Sequence, residues 1–188
     1  MITNFSREYI KDEPDWNKLH IIHAWGTYSE EGIYSIAVRK AGLSPTTYTN
    51  AKNKCGANRA FEGICGEAIN VLGQQAYDAI LIDEAQDMPC DFFKLCYQLL
   101  KEHKRLAFAY DELQYLGSNS MSLLEEMFGL NEYGKPKVVL ENRDNEARKD
   151  IVLPICYRNT PWALTLAHLL GFGIYRQDGL VQLLYILR

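Results

Sequence analysis

Leu81-Ile82-Asp83-Glu84-Ala85-Gln86-Asp87 is an apolar run that delivers two adjacent carboxylates, followed by Ala, Gln and a third acid. A strand ending in Asp83 and Glu84 can hold magnesium with one acid and polarise an attacking water with the other, which is the chemistry of nucleotide hydrolysis. The structural alternative is an acidic turn that solvates the strand end and caps the next helix. The complete run, after an apolar strand and before a helix, favours the chemical account, because open parallel sheets carry ligands at the carboxyl ends of their strands. A second apolar run, Leu106 to Tyr110, ends in Asp111-Glu112-Leu113-Gln114. The amide of Gln114 can bond both a phosphate oxygen and a water. Further on, Tyr157-Arg158 sets an aromatic face beside a fixed cation, a pair able to stack on a base and reach a developing phosphoryl charge.

Other chemical candidates are weaker. Gly129 to Lys135 matches the GxxxxGK spacing of a phosphate loop. Such a loop needs a strand before it, a helix after it and a Ser or Thr following the Lys. Here a helix precedes, Pro136 follows and a strand is expected next, so the segment reads as a helix-to-strand turn. His20 and His23 lack a third metal ligand. Trp25 and Tyr28 could stack on single-stranded bases, given a basic groove that the sequence does not show. The five cysteines, at 55, 65, 90, 96 and 156, form no CxxC pair and read as packed, reduced thiols.

The elements that position these residues are legible in the pattern. Leu19 to His23 is a short β-rich run, and residues 30–41 have helical spacing at Ile33, Ile36 and Ala37, with Gly42 as the stop. Residues 43–56 read as a loop, and 57–72 as a helix that tolerates Gly63 and Gly66 and ends at Gly73. From Asp78 the alternation is strand 79–83, helix 90–103, strand 105–110, helix 120–128 and strand 137–140. That order predicts an α/β fold with a parallel sheet covered by helices on both faces. Residues 141–150 form a polar connection and the best domain boundary, separating 1–140 from 141–188. Thr160-Pro161 looks like an N-cap with proline in the first turn of a helix over 160–170.

At 188 residues, 47% hydrophobic and 23% charged, the composition is that of a globular protein. No apolar run approaches the roughly 20 residues of a membrane helix. The start carries neither a basic region nor an apolar segment, so a cytoplasmic location without a membrane partner is expected. A net charge of −4 means that any nucleic-acid contact must come from local basic groups.

Taken together, Asp83-Glu84-Ala85-Gln86-Asp87, Asp111 to Gln114 and Cys156-Tyr157-Arg158-Asn159 resemble, in order and approximate spacing, motifs II, III and IV of the UvrD/Rep-type DNA helicases of superfamily 1. The likeness covers roughly residues 19–175, with Ile21 to Trp25 resembling a degenerate form of the family's Thr-Phe-His motif. The resemblance implies an incomplete P-loop NTPase sheet of the RecA-like type, with a partial first lobe over 1–140 and the start of a second over 141–188. It also implies ATP and magnesium as cofactors and single-stranded or partly duplex DNA as partner. Asp83 would bind the metal and Glu84 activate water, both as catalytic acids. Gln114 would couple the γ-phosphate to DNA, and Arg158 would be the finger. Tyr157 would stack on adenine, and Gln86, inside the motif, would stand with it on the cofactor side. The family's amino-terminal Gln motif and its phosphate loop are not in this chain, nor is the Trp that often follows motif III. The expectation is therefore a piece of an ATP-dependent helicase or translocase, inactive by itself and needing the missing helicase segments. A truncated gene and a degenerate relative remain equally open. A non-catalytic, helicase-derived module for DNA or protein binding is the alternative, and a magnesium-dependent nuclease using Asp83 and Glu84 ranks below both.

Overall fold

The computed structural model describes residues 2–111, 124–153 and 160–171, the last turn of which, 168–171, is described by its backbone alone. The elements are α1 (Ile2–Phe5), α2 (Ile33–Lys40), α3 (Tyr48–Cys55), α4 (Ala60–Val71), β1 (Tyr77–Ile82), α5 (Cys90–Leu99), β2 (Leu100–Phe108), α6 (Leu124–Phe128) and α7 (Pro161–Gly171). They divide into two compact units, Met1–Ile80 with Pro89–Leu106, and Leu81–Met88 with Ala107–Arg188. Both strands run from one unit into the other. Among the described residues the sheet consists of β1 and β2 alone, paired in parallel.

In the first unit, α4 is the hub, packing on α5, α3 and α2. Its inward face is Ala60, Ile64, Cys65 and Ala68, and α5 answers with Phe92, Phe93, Leu95, Cys96 and Leu99, all buried. The two glycines of α4 are explained by close approach. A Cβ on Gly63 would collide with Cys55 Sγ of α3, and one on Gly66 would lie 2.9 Å from Asp91 Oδ2 of α5. The helix thus accepts the entropic cost of glycine in exchange for short interhelical distances.

The sequence reads 43–56 as a loop, whereas 48–55 is helical. Thr47 caps it, its side chain accepting from Asn50 N, and Gly56 at φ +85° ends it. Ala51 is the one buried residue of α3, so there is no apolar stripe to reveal it. The β-rich run at 19–23 yields only a single parallel bridge, His23 to Gly32. Its backbone does another job: the carbonyls of His23, Ala24 and Trp25 accept from the first N–H groups of α2, those of Ile33, Tyr34 and Ser35, at 2.9–3.0 Å. The helix start is thereby satisfied by the chain itself and offers no anion site. Gly26 and Gly32 touch so closely that a Cβ on either would overlap the other's backbone. Gly42, at φ +76°, stops α2 as its position predicts.

The alternation from Asp78 is realised with shifted bounds. Helix α5 starts at Cys90 with Asp91 in its first turn, but ends at Leu99 rather than 103. The chain turns there because Leu99 O accepts from Ala76 N at 2.7 Å, beginning the strand pair. Lys104, at φ +46°, folds its ammonium back onto the carbonyls of Tyr97 and Leu100. Lys101 Nζ reaches Asp78 across the pair at 2.9 Å and holds that carboxyl below its ordinary range. Along β1, Ile80 and Ile82 are buried while Leu81 is 79% exposed. Period-two burial of this kind marks a sheet with one covered face, so the expectation of helices on both faces fails for the described residues.

In the second unit, 124–128 is helical as predicted, and residues 120–123 lie outside the described region. The third strand expected at 137–140 does not form. Pro136 has no N–H to offer, and the N–H of Lys137 is spent on Gly129 O at 3.1 Å. Thr160 caps α7 as anticipated, its hydroxyl accepting from Ala163 N. No helix among the described residues is long and apolar enough to cross a membrane.

The described cysteines are free, with Cys65 and Cys96 buried and Cys55 and Cys90 half-buried. Burial pushes the Cys65 and Cys96 thiols far up, which suppresses the reactive thiolate. Peptide mapping after brief iodoacetamide treatment at pH 8 should therefore find Cys55 and Cys90 modified in the native protein, and Cys65 and Cys96 modified only in denaturant. Native-state labelling of the latter pair would contradict the helix packing described.

Candidate functional site

The site lies in the second unit, where the chain leaves β1 and β2. Ala109 clamps the two exits: its N–H donates to Ile82 O and its carbonyl accepts from Ala85 N, both at 2.9 Å. Ala85 is 1% exposed, which explains a small apolar residue between Glu84 and Gln86. Residues 85–87 then make a short 3₁₀ turn, with Asp87 N bonded to Glu84 O and Met88 N to Ala85 O.

Glu84 sits in the left-handed region, at φ 51° and ψ 45°. For a residue other than glycine that conformation costs roughly 1–2 kcal/mol. Such strain persists where the surrounding structure imposes it, and it concentrates at functional positions. Here the imposing contacts are the Ala109 clamp before and after the residue, and the bond from Glu84 N to Asp83 Oδ1 at 3.1 Å. The backbone turn projects Asp83 and Glu84 as exposed neighbours, and neither forms an ion pair with a described residue.

Gln86 behaves differently from its neighbours. It is 6% exposed, donates from Nε2 to Glu84 Oε2 at 2.6 Å, and accepts at Oε1 from Asp111 N at 3.1 Å. The resemblance implies a cofactor-side role for this residue, and its position is an internal strut between the two strand exits. Spacing alone could not reveal the Gln86 to Asp111 bond, because it joins residues 25 apart through a side chain. Of the other candidates, Gln114, Tyr157 and Arg158 lie outside the described residues.

Magnesium and ATP can be tested against the donors present. Asp83 and Glu84 supply one pair of carboxylates, and no group of three or more metal-ligating side chains occurs among the described residues. Magnesium held by one or two carboxylates takes its remaining ligands from water and substrate phosphates. The GxxxxGK segment cannot cradle those phosphates. Asn131 Oδ1 accepts from both Tyr133 N and Lys135 N, Gly134 N donates to Asn131 O, and Asn131 N donates to Lys135 O. The N–H groups of Asn131, Tyr133, Gly134 and Lys135 are thus spent within the turn after α6. The described residues by themselves therefore do not fit a magnesium nucleotide.

A cleft of about 480 Å³ in the first unit is lined by Trp25, Tyr28, Tyr48, His23 and Glu30 among others. It contains no Lys or Arg, so nothing in its lining neutralises a phosphate backbone. One face of Trp25 already stacks on Phe61, with centroids 5.1 Å apart, and its Nε1–H donates to Thr46 O. Trp25 is thus a packing residue, while Tyr28 stays exposed.

No family model, curated protein or solved structure matches this chain.

Ala85→Leu tests the clamp. Inserting a branched side chain at so enclosed a position should cost about 1–3 kcal/mol. The urea midpoint should fall with little change in slope, and an unchanged midpoint would show that β1 and β2 do not close over this residue.

Proposed function

We propose that this chain is part of an ATP-dependent DNA helicase or translocase of the UvrD/Rep type, with a RecA-like sheet, coupling ATP hydrolysis to movement on single-stranded DNA. Asp83 is assigned as the magnesium ligand and Glu84 as the water-polarising acid. Gln114 is assigned to the γ-phosphate, Tyr157 to the base and Arg158 to the transferring phosphoryl group. The observation that carries the proposal is the exposed Asp83 and Glu84 pair at the carboxyl end of a parallel strand, free of ion pairs among the described residues. Carboxylates serving only to stabilise a turn would gain from a neighbouring cation.

The proposal requires a phosphate loop from polypeptide outside this sequence, since in the chain's own GxxxxGK turn the amides of Asn131, Tyr133, Gly134 and Lys135 are engaged within the turn. The chain alone should accordingly show no ATP hydrolysis stimulated by single-stranded DNA. Coding sequence continuous with this one should specify GxxxxGK followed by Ser or Thr, and the joined protein should hydrolyse ATP. In that protein Glu84→Gln should lower the rate by at least about 100-fold, the scale of a lost general base. Absence of such a loop from the adjoining sequence would sink the motor. A DNA- or protein-binding activity that survives Glu84→Gln unchanged would instead identify a non-catalytic module.

A further inference from the structure

The cleft of about 480 Å³ in the first unit plays no part in the proposed motor, and its lining has a definite chemistry. Its volume lies within the roughly 300–1,000 Å³ of small-ligand sites. Trp25, Tyr28 and Tyr48 supply three aromatic rings, Pro45 adds apolar surface, and Glu30 is the one carboxylate. Lys and Arg are absent from the lining. Glu30 forms no ion pair with a described residue. The guanidinium of Arg39 reaches the backbone of this loop at Thr27 O, 3.5 Å away, but it is otherwise spent on Ser35 and does not line the cleft. The walls are fixed by the fold. Trp25 is held by Phe61 against its ring and by Thr46 O on its indole N–H, while Thr46 N donates to the Tyr34 hydroxyl. Tyr48 meets Trp25 edge to face, with centroids 5.9 Å apart, and begins the helix that Thr47 caps. The turn carrying Tyr28 and Glu30 is closed by Thr27 N donating to Glu30 O at 2.8 Å and by Ser29 N and Glu30 N donating to Thr27 Oγ1.

We propose that this cleft binds a small organic cation carrying an alkylated ammonium group, with Trp25, Tyr28 and Tyr48 against its methyl groups and Glu30 as the counter-charge. Aromatic faces carry negative charge density and attract cations. Three rings beside a carboxylate, with no Lys or Arg among them and in a chain of net charge −4, favour a cation and disfavour a phosphate. The kind of cation follows from what the walls can satisfy. A metal ion needs several oxygen ligands, and no group of three or more metal-ligating side chains occurs among the described residues. A bare ammonium brings three N–H donors, which mostly apolar walls leave unpaired. An alkylated ammonium keeps the charge, sheds those donors and buries its methyl groups on the rings. Because the walls are already held in place, little ordering cost falls on binding. The site stands in the first unit, so the inference holds whether or not the strand-end acids serve a motor.

The probe is choline chloride, titrated into the full chain at pH 8 and low salt and followed by amide and indole NMR. Saturable shifts are expected at Trp25, Tyr28, Glu30 and Tyr48, with a dissociation constant of about 1 mM or tighter. Dimethylbutanol, the neutral isostere with carbon in place of the charged nitrogen, should bind at least about tenfold more weakly, since it fills the same space without the charge. AMP should shift none of these signals. Tyr28 and Glu30 are exposed, and their side chains make no hydrogen bond with a described residue, so both positions tolerate substitution. Tyr28→Ala and Glu30→Gln should each weaken choline binding by about threefold or more, the scale of an exposed cation–π contact or ion pair. Absence of a saturable choline shift, equal affinity for the neutral alcohol, AMP binding at these residues, or unchanged choline affinity in either variant would overturn the proposal. Should a variant fail to fold, the comparison of choline with its neutral isostere on the unsubstituted chain decides the matter.

Discussion

Everything at the candidate site depends on two parallel strands leaving the sheet together, held by the backbone of one residue. Ala109 bonds to Ile82 on one side and to Ala85 on the other. Between those two contacts the chain has only Asp83 and Glu84 with which to turn a corner. A short connection pinned at both ends has few conformations, and the left-handed Glu84 is the outcome. The strain is sustained because releasing it would break two strand-end hydrogen bonds and expose Ala85, each a penalty comparable to the strain itself.

The strands can meet in this register because of the helices that precede and separate them. In the first unit, α4 approaches α3 and α5 closely through Gly63 and Gly66, and the large apolar residues of α5 fill the space beside them. Phe93 and Leu95 on one turn and Leu99 on the next anchor α5 so that its last carbonyl is taken by Ala76, where β1 is about to begin. The alternation of β1 also fixes register, since a one-residue slip would turn the buried Ile80 and Ile82 out to solvent. The ion pair of Asp78 with Lys101 adds to it only modestly, being exposed to solvent.

Electrostatics separates the two places where a ligand could be imagined. The aromatic cleft carries Glu30 and no basic residue, in a chain of net charge −4, which disfavours polyanions. The strand-end acids are themselves anionic and suit a cation, yet the amides that might have cradled the accompanying phosphates close the turn at 129–135 instead. Charge and hydrogen-bond bookkeeping thus agree that the carboxylates need a complementary surface from elsewhere to work on a nucleotide.

Much of this was readable from residue order. The apolar runs at 79–82 and 106–109, the helix between them, the stop at Gly42 and the Thr160 cap all follow from local rules, because periodicity and capping act over a few residues. The misread parts share a cause. Helix α3 has one buried residue and no apolar stripe, so only its contact with Gly63 reveals why it packs. Leu19 to His23 and residues 137–140 have strand-like composition, but a strand exists only when a partner offers its edge; here the His23 carbonyl goes to the start of α2 and the Lys137 N–H to Gly129 O. The sequence by itself determined which side chains could do chemistry, since the types and adjacency of Asp83, Glu84 and Gln86 are covalent facts. Tertiary structure alone decided that Glu84 is strained and outward while Gln86 is buried between it and Asp111, because hydrogen bonds between distant residues depend on how two strands meet.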